Sequence, residues 1–542
     1  MKIFDFNIQF CLPLAGLLTL TTSCSQQTEE EERPNIIFIM SDDHAYQAIS
    51  AYDDKLMNTP NIDRIAEEGI LFTNASVTNS ICAPSRATIL TGKHTHIHGK
   101  IDNIFPFDTS NVTFPQILHD SGYQTAMFGK LHFGNNPKGF DEFMILPGQG
   151  DYYNPDFITP HGDTAIEGYV TDIITDLTID WLENNRDETQ PFLLFYLHKA
   201  PHREWIPASR HYTEFTKRNF PLPETLYDDY EGRGTAAKEA EMNILKHMTI
   251  SADNKIYPEV AKNLGIEEPS EWGFRVFDSK YSRFTEEQKE EWDKVYRPIN
   301  KRFKELYPHM NDSSFLRWKY QRYMQDYLAT IAAVDEGVGR VLDYLDQSDL
   351  SDNTIVVYTS DQGFYLGEHG WFDKRFIYEE SFRTPLMIKW PEKIEPGTVS
   401  EEMVQNLDFA QTFLDAADVE APDDMQGESL MPLMTGVTEK WTRDAVYYHY
   451  YEYPGFHMVK RHYGIVTKDY KLAHFYYDVD EWELYDRKKD PLELKNVYNS
   501  SDYQDVVEQL TKKLKEMREK YKDSRELDQK FIEKYKERGI IK

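Results

Sequence analysis

Cysteine is scarce: three residues in 542, at positions 11, 24 and 82. Basic residues are also in short supply, 60 Lys and Arg against 92 Asp and Glu, for a formal charge of −32. That deficit argues against sequence-independent nucleic-acid binding, whose affinity comes from Lys and Arg neutralising phosphates. Long apolar runs are missing too. The N-terminal run 8–20 is interrupted by Pro13 and is too short to span a bilayer as a permanent helix. A hydrophobic fraction of 40% with 28% charged residues is ordinary for a globular chain and excludes disorder, collagen-like repeats and a multispanning membrane protein. Aromatics reach 14%; most belong in a core, with some free for a sugar-contacting surface.

The N-terminus reads as an export signal. Lys2 supplies a small positive region, the apolar run follows, and Thr21-Thr22-Ser23 precede Cys24. Leu20-Thr-Thr-Ser-Cys24 resembles a bacterial lipobox, which implies a signal peptide over 1–23 and a lipid on Cys24. Residues 24–33 are polar and acidic, as suits a tether. The expectation is an exported protein, in the periplasm or on the outer membrane, that meets the membrane only through its anchor. The plain alternative is cleavage to a free protein. Cys82 is then the one cysteine of the folded body and has no partner for an internal disulfide. It is either an inert buried thiol or kept for chemistry.

From residue 34 onward, apolar runs at 35–40, 125–128, 192–197, 354–359 and 385–390 alternate with helix-patterned segments at 61–68, 113–121, 168–183 and 323–345. Runs without polar alternation suit strands buried on both faces. The pattern predicts an α/β domain over 34–434 with a mainly parallel sheet sandwiched by helices. The charge-rich stretch 231–318 lacks strand signals and reads as a helical insertion. After residue 434, short β-prone segments at 447–453, 464–467, 470–475 and 482–485 precede an amphipathic helix over 502–522. They predict a smaller C-terminal α+β subdomain, 435–542, containing an antiparallel sheet.

In open α/β sheets, functional groups gather beyond the carboxyl ends of strands. Asp42 and Asp43 follow the first strand; Asp361 and Gln362 follow the strand 354–360. Three carboxylates and an amide oxygen form a hard donor set that suits Ca²⁺ or Mg²⁺. Either pair alone could equally cap a helix or turn.

Between the pairs lies Ser80-Ile-Cys82-Ala-Pro84-Ser85-Arg86-Ala-Thr-Ile-Leu-Thr91-Gly92. The C-x-P-S-R core and closing Thr-Gly closely resemble the type I sulfatase signature, in which the cysteine is oxidised to formylglycine by a dedicated maturation enzyme. The likeness continues through the chain. Gly122 to His132 resembles the second signature, with Lys130 and His132 in place and Phe128 where a smaller residue is usual. Ala200-Pro201-His202 matches a downstream histidine. Asp361-Gln362 and the block from Gly367 to Lys374 match the second metal pair, with Gln362 where asparagine is common, and a second lysine.

The resemblance implies an alkaline-phosphatase-like fold and a hydrated formylglycine at position 82 that attacks sulfur. It implies one Ca²⁺ bound by Asp42, Asp43, Asp361, Gln362 and residue 82. Arg86 and Lys130 would stabilise the nucleophile and sulfate, and His202 and Lys374 would bind the ester and help the alcohol depart. His132 would take the proton that frees sulfate. Such charge screening is what an already anionic ester demands of its site. The segments 372–376 and 447–464 look most like carbohydrate sulfatases acting on 6-O-sulfated N-acetylglucosamine in glycosaminoglycan or mucin-type glycans. Asp373, Arg375 and His457 are the candidate sugar contacts. Asp373 and Arg375 serve equally well as an ion pair that orients the loop, and the basic stretch 457–462 as a solvated loop. His94, His96 and His98 lack a cysteine or carboxylate neighbour in sequence and read as structural. Three readings stay open beside this one: a phosphonate or phosphodiester hydrolase of the same superfamily, a sulfatase for another sugar position, and a non-catalytic sugar-binding lipoprotein.

Overall fold

The structure is a computed structural model that describes residues 32–541. The signal segment, Cys24 and nearly all of the tether lie outside the described residues. From Arg33 on, the chain forms one unit.

The elements that carry the site are, in chain order, β1 (Asn35–Ser41), α1 (Cys82–Thr91), β2 (Gln124–Gly129), β3 (Phe192–Leu197), α2 (Trp272–Ser282), α3 (Glu286–Leu306), α4 (Asp312–Gln347), β4 (Thr354–Ser360) and β5 (Leu386–Lys389). They are followed by β6 (Ala445–Tyr450), β7 (His462–Thr467), β8 (Tyr470–Phe475), β9 (Glu481–Asp486), α5 (Gln504–Lys520) and α6 (Arg525–Glu537). The main sheet has ten strands among the described residues, and its centre runs β5–β4–β1–β3–β2. The last four are parallel and β5 is antiparallel to β4.

Strand β1 shows why the run is unbroken. Ile37 and Ile39 join the core on one face, under α4, while Ile36, Phe38 and Met40 join the core on the other, which includes α1. Both faces being covered, the strand is apolar from Ile36 to Met40, and polar residues stand only at its two ends. The mainly parallel sheet flanked by helices, and the antiparallel sheet β6–β7–β8–β9 in the C-terminal region, match the fold expected from the sequence.

Two elements differ from expectation. Helix α4 begins at Asp312, inside the expected insertion, rather than at 323. Its first turns are solvated and carry only a sparse apolar stripe. An Asn311 cap accepting from Ser314 N at 2.9 Å starts it. Helix α6 went unseen because its buried stripe, Phe531, Ile532 and Tyr535, sits in a strongly charged stretch.

Helices α5 and α6 are fastened to β6 by a buried charge cluster. Asp523 accepts from His449 Nδ1 at 2.9 Å and from Tyr447 Oη, and pairs with Arg518 Nε at 3.3 Å. Although burial opposes ionisation, His449, His96 and Arg518 hold the Asp523 carboxyl well below the usual range. A depressed carboxyl contributes stability above the unfolded value, about 3.9, and loses it as pH falls below that. Asp523→Asn is expected to cost about 1–3 kcal/mol in a denaturant melt, because it removes a buried charged hydrogen-bond acceptor and leaves Arg518 with Asp528 alone, at 3.6 Å. Sulfate release per folded molecule should be unchanged.

Candidate active site

Parallel pairing of β1 and β4 sets Ser41 opposite Ser360, so the two acidic pairs leave the sheet side by side. Lys130 and His132 follow β2, and His202 follows β3, at the same edge. The carboxyl ends of four adjacent strands therefore build one floor.

Helix α1 points into it. Ile81 is its N-cap and Cys82 its first residue; Pro84 falls in the first turn, where a missing N–H costs nothing. Ser85 Oγ donates to Asp361 O and accepts from Asn406 Nδ2 at 2.8 Å, pinning the helix to the end of β4. Arg86, one turn after Cys82 and so on the same face, reaches Asp361 Oδ2 with Nε at 2.9 Å and Asp42 Oδ2 with Nη2 at 3.3 Å. Gly92 closes the helix at φ +61, a conformation in which a Cβ would also press on Gln411.

Cys82 is fully buried, with Sγ 3.3 Å from Asp42 Oδ1. Burial and the Asp42 charge push its thiol well above the ordinary range. A thiol kept protonated is a poor nucleophile. The unmodified side chain is thus poorly suited to attack an anionic ester.

Asp42, Asp43 and Asp361 place carboxylate oxygens within 4.8 Å of one another. Three cations face them: Arg86, Lys130 on Asp42, and Lys374, whose Nζ lies 2.6 and 2.7 Å from the two oxygens of Asp43. Burial pushes Asp43 up to about 7 against the pull of Lys374, with Asp42 and Asp361 adding to the rise. Burial and Asp42 also raise Asp361. For Asp42 the outcome reverses: burial is outweighed by Lys130, His202, Arg86 and Lys374, and it stays well below the usual range. Gln362 Nε2 donates to Asp43 Oδ1 at 2.5 Å and Asp361 Oδ1 at 2.8 Å, leaving its Oε1 buried without a hydrogen-bond partner. Three crowded carboxylates and an orphaned amide oxygen fit a hard divalent cation, which Asp42, Asp43, Asp361 and Gln362 would hold.

His202 Nδ1 lies 2.7 Å from Arg203 O. A carbonyl only accepts, so Nδ1 carries the hydrogen and Nε2 is the nitrogen that faces the site, 3.7 Å from Asp43 Oδ2. Lys130 Nζ also donates to Gln149 Oε1, and its carbonyl accepts from Arg86 Nη1. His132 sits at φ +66; burial and then Lys130 pull its pKa well down.

A cavity of about 710 Å³ opens beside this floor, lined by His202, Lys374, Asp373, Arg375 and His457 among others. Asp373 Oδ1 accepts from Lys374 N at 2.8 Å and lies 3.5 Å from Arg375 Nε, while Oδ2 lies 3.3 Å from His457 Nε2. All three candidate sugar contacts are therefore together. Asp43, His132, Asp373, Arg375 and His457 all have positive φ, from +62 to +94. Such strain in non-glycine residues persists only where the surroundings enforce it, and it clusters at functional sites.

Sequence reasoning missed Gln149, Arg203, Trp272, Ile104, Glu452 and Phe456, which line the same cavity. Glu452 and Phe456 fall in the stretch 447–464 already singled out for its resemblance, without being picked from it; the other four belong to no motif, and only the folded chain brings them here. His94 and His96 stack on each other, and His96 Nε2 meets Tyr521 O at 2.8 Å, the packing role expected of that histidine run. The buried His449–Asp523–Asp528 group also has metal-like spacing, but Arg518 already supplies its countercharge.

Residues 34–419 match the family model described as Sulfatase, which covers well over half the chain. The chain belongs to the sulfatase family. It is a sulfate ester hydrolase, and residues 367–520 also match the model described as N-sulphoglucosamine sulphohydrolase, C-terminal. This sulfatase is 49% identical over 518 residues to an N-acetylglucosamine-6-O-sulfatase of Bacteroides thetaiotaomicron, covering 95% of this chain and 91% of that one. A human N-acetylglucosamine-6-sulfatase is 26% identical over 443 residues, 76% of this chain and 67% of its own. Among solved structures, a protein in complex with its substrate D-glucosamine-2-N,6-O-disulfate superposes with a TM-score of 0.86. It is 49% identical, over 91% of this chain and 99% of that one. A phosphonate monoester hydrolase of Agrobacterium radiobacter shares the fold at a TM-score of 0.64 and 20% identity, over 90% and 96% of the two chains.

Proposed function

We propose that this sulfatase removes the 6-O-sulfate of N-acetylglucosamine or N-sulfated glucosamine in sulfated glycans. The observation that carries the reading is the Asp373–Arg375–His457 group on the cavity wall beside Lys374 and His202. Two 49% identical matches support it, one named for that sugar and sulfate position and one solved with D-glucosamine-2-N,6-O-disulfate as its substrate.

Residue 82, converted to formylglycine by a maturation enzyme, supplies in its hydrated form an oxygen nucleophile that the thiol cannot. A divalent ion, Ca²⁺ by the hardness of the donors, held by Asp42, Asp43, Asp361, Gln362 and residue 82, adds positive charge where sulfate oxygens gather. The chain's own residues do the rest. Arg86 and Lys130 keep Asp42 ionised and their charges offset the incoming sulfate. Lys374 turns from Asp43 to the ester oxygens. His202 acts when Nε2 holds a second proton beside the one on Nδ1. Burial and then Lys130 pull its pKa well down, so that imidazolium is a strong acid and gives its Nε2 proton to the departing sugar oxygen. His132 accepts the proton that must leave residue 82 for sulfate to be freed. Asp373 accepts from, and Arg375 donates to, hydroxyls next to the sulfated carbon, with His457 closing the group. Upstream, we infer a signal peptide ending before Cys24 and a lipid on that cysteine; a lipid-free N-terminal peptide from exported protein would refute the anchor.

Free sulfate measured from defined mono- and disaccharides sulfated at O2, O3, O4, O6 or N tests the specificity. Release from the 6-O-sulfates is expected. Exclusive release from another position, or faster turnover of an aryl phosphonate than of any sulfate, would overturn it. Asp373→Ala should lower kcat/KM on the sugar 6-sulfate by roughly ten- to a hundredfold, the worth of a desolvated charged hydrogen bond at about 1.5–3 kcal/mol. The loss on a small aryl sulfate should be much smaller. Equal losses would instead mark Asp373 as the loop's ion-pair partner.

A further inference from the structure

Lys199 is a buried cation for which the chemistry above has no use. It stands just beyond β3, is 1% exposed, and forms no ion pair among the described residues. An ammonium with no carboxylate at ion-pair distance is costly to bury, and burial lowers its pKa to about 8 against the pull of the Glu204 charge. It does not line the cavity, whereas His202 does. Its Nζ donates to Arg203 O at 3.4 Å and lies 4.6 Å from the centroid of the Tyr152 ring.

Both contacts lead to His202. The Arg203 carbonyl reached by Lys199 is the one that takes the hydrogen of His202 Nδ1. Tyr152 Oη donates to the carbonyl of His202 itself at 2.5 Å, and His202 N donates to Lys199 O at 2.9 Å. A cation over the phenol face draws electron density from the ring and strengthens its hydroxyl as a donor. One ammonium thus braces the two consecutive carbonyls that set the aim of the imidazole.

We propose that Lys199 is a positioning residue for His202, holding the Arg203 carbonyl directly and the His202 carbonyl through Tyr152, so that Nε2 faces the departing oxygen. The inference rests on the reading of His202 as the acid that protonates the leaving alcohol. In that step an oxygen of hydrated residue 82 bonds to sulfur as the S–O bond to the sugar breaks and the Nε2 proton passes to the sugar oxygen, leaving a neutral imidazole, a neutral alcohol and a sulfate ester on residue 82.

Leaving-group dependence separates positioning from mere packing. A 4-nitrophenolate departs without a proton; a sugar alkoxide needs one. Lys199→Met should lower kcat on N-acetylglucosamine 6-sulfate by about tenfold or more, a fraction of the 10²–10⁴ that a general acid supplies, with KM nearly unchanged. On 4-nitrophenyl sulfate it should lose less than about threefold. In a His202→Ala background, Lys199→Met should add nothing, since the two act as one unit. Lys199→Arg should recover part of the rate, and Tyr152→Phe, a milder change that keeps the buried ring, should show the same selectivity at smaller size. Equal losses on both esters, losses that multiply in the double variant, or a rise in KM at constant kcat would each overturn the inference. If His202→Ala itself fails to discriminate between the esters, the acid reading of His202 falls and takes the inference with it. If only Lys199→Met and Tyr152→Phe fail to discriminate, the inference falls and the acid reading stands.

Discussion

Cys82→Ala should abolish sulfate release, lowering kcat/KM by about 10³-fold or more, the scale on which removal of a covalent nucleophile acts. The melting temperature should barely move. Residue 82 lies at the first position of α1, held by Ser85 and Arg86 rather than by its own side chain, so losing one sulfur atom costs about 1 kcal/mol, near the centre of point-mutant effects. The wild-type peptide that contains residue 82 should show one oxygen in place of sulfur and two hydrogens when made with a maturation enzyme. Without that enzyme, the chain should fold and stay inactive. Full activity in protein whose residue 82 is entirely thiol would refute the assignment, because burial and Asp42 hold that thiol protonated.

Chelation is expected to have the second-largest effect. Stripping the divalent ion should eliminate turnover and lower the melting temperature. At free metal about 100-fold above Kd, binding contributes about 2.7 kcal/mol. With an unfolding entropy of about 2.1 cal/mol/K per residue, that is roughly 3 °C for a unit of this length. The shift should depend on pH in a definite sense. Asp43, pushed up to about 7, and Asp361, also raised, bind protons more tightly in the folded metal-free form than in the unfolded chain. Through these two carboxyls the metal-free form loses stability as pH rises from about 4 to about 7. Asp42 is depressed and acts only below about 4. A cation replaces those protons, so the gap in melting temperature between loaded and stripped protein should widen across the same window. Readdition of Ca²⁺ should restore both activity and stability. Stoichiometric zinc in active enzyme, or a gap that narrows with rising pH, would contradict the hard-ligand assignment.

Much of the catalytic floor was legible in the sequence because its chemistry is written in short contiguous pieces. C-x-P-S-R occupies one turn and a half of a single helix, so spacing alone puts Cys82 and Arg86 on one face. The two acidic pairs end apolar runs that have to be buried strands, which places both at a sheet edge before any strand order is known. The alternation of such runs with helical segments likewise dictated an α/β sheet, and the lone body cysteine excluded an internal disulfide, while the residues around it resembled a catalytic signature.

Tertiary structure decided everything that depends on which strands are neighbours and which loops meet. Only the pairing of Ser41 with Ser360 brings Asp42 and Asp361 within reach of one cation. Only the fold carries Glu452 and His457 of the C-terminal region, and Trp272 of α2, to the same cavity wall as Asp373. Helix α6 was hidden because its few apolar residues are interspersed with charge, and their burial against Tyr451 and Ile101 exists only once the chain has folded. Lys199 is the sharpest case. In sequence it is one more lysine beside a histidine, and its burial over the Tyr152 ring and against Arg203 O is set by a distant loop that brings Tyr152 and by the turn of its own loop. Local patterns specify which groups are present and on which face of an element they stand. Distances between groups far apart in the chain are set by packing, which no single segment encodes.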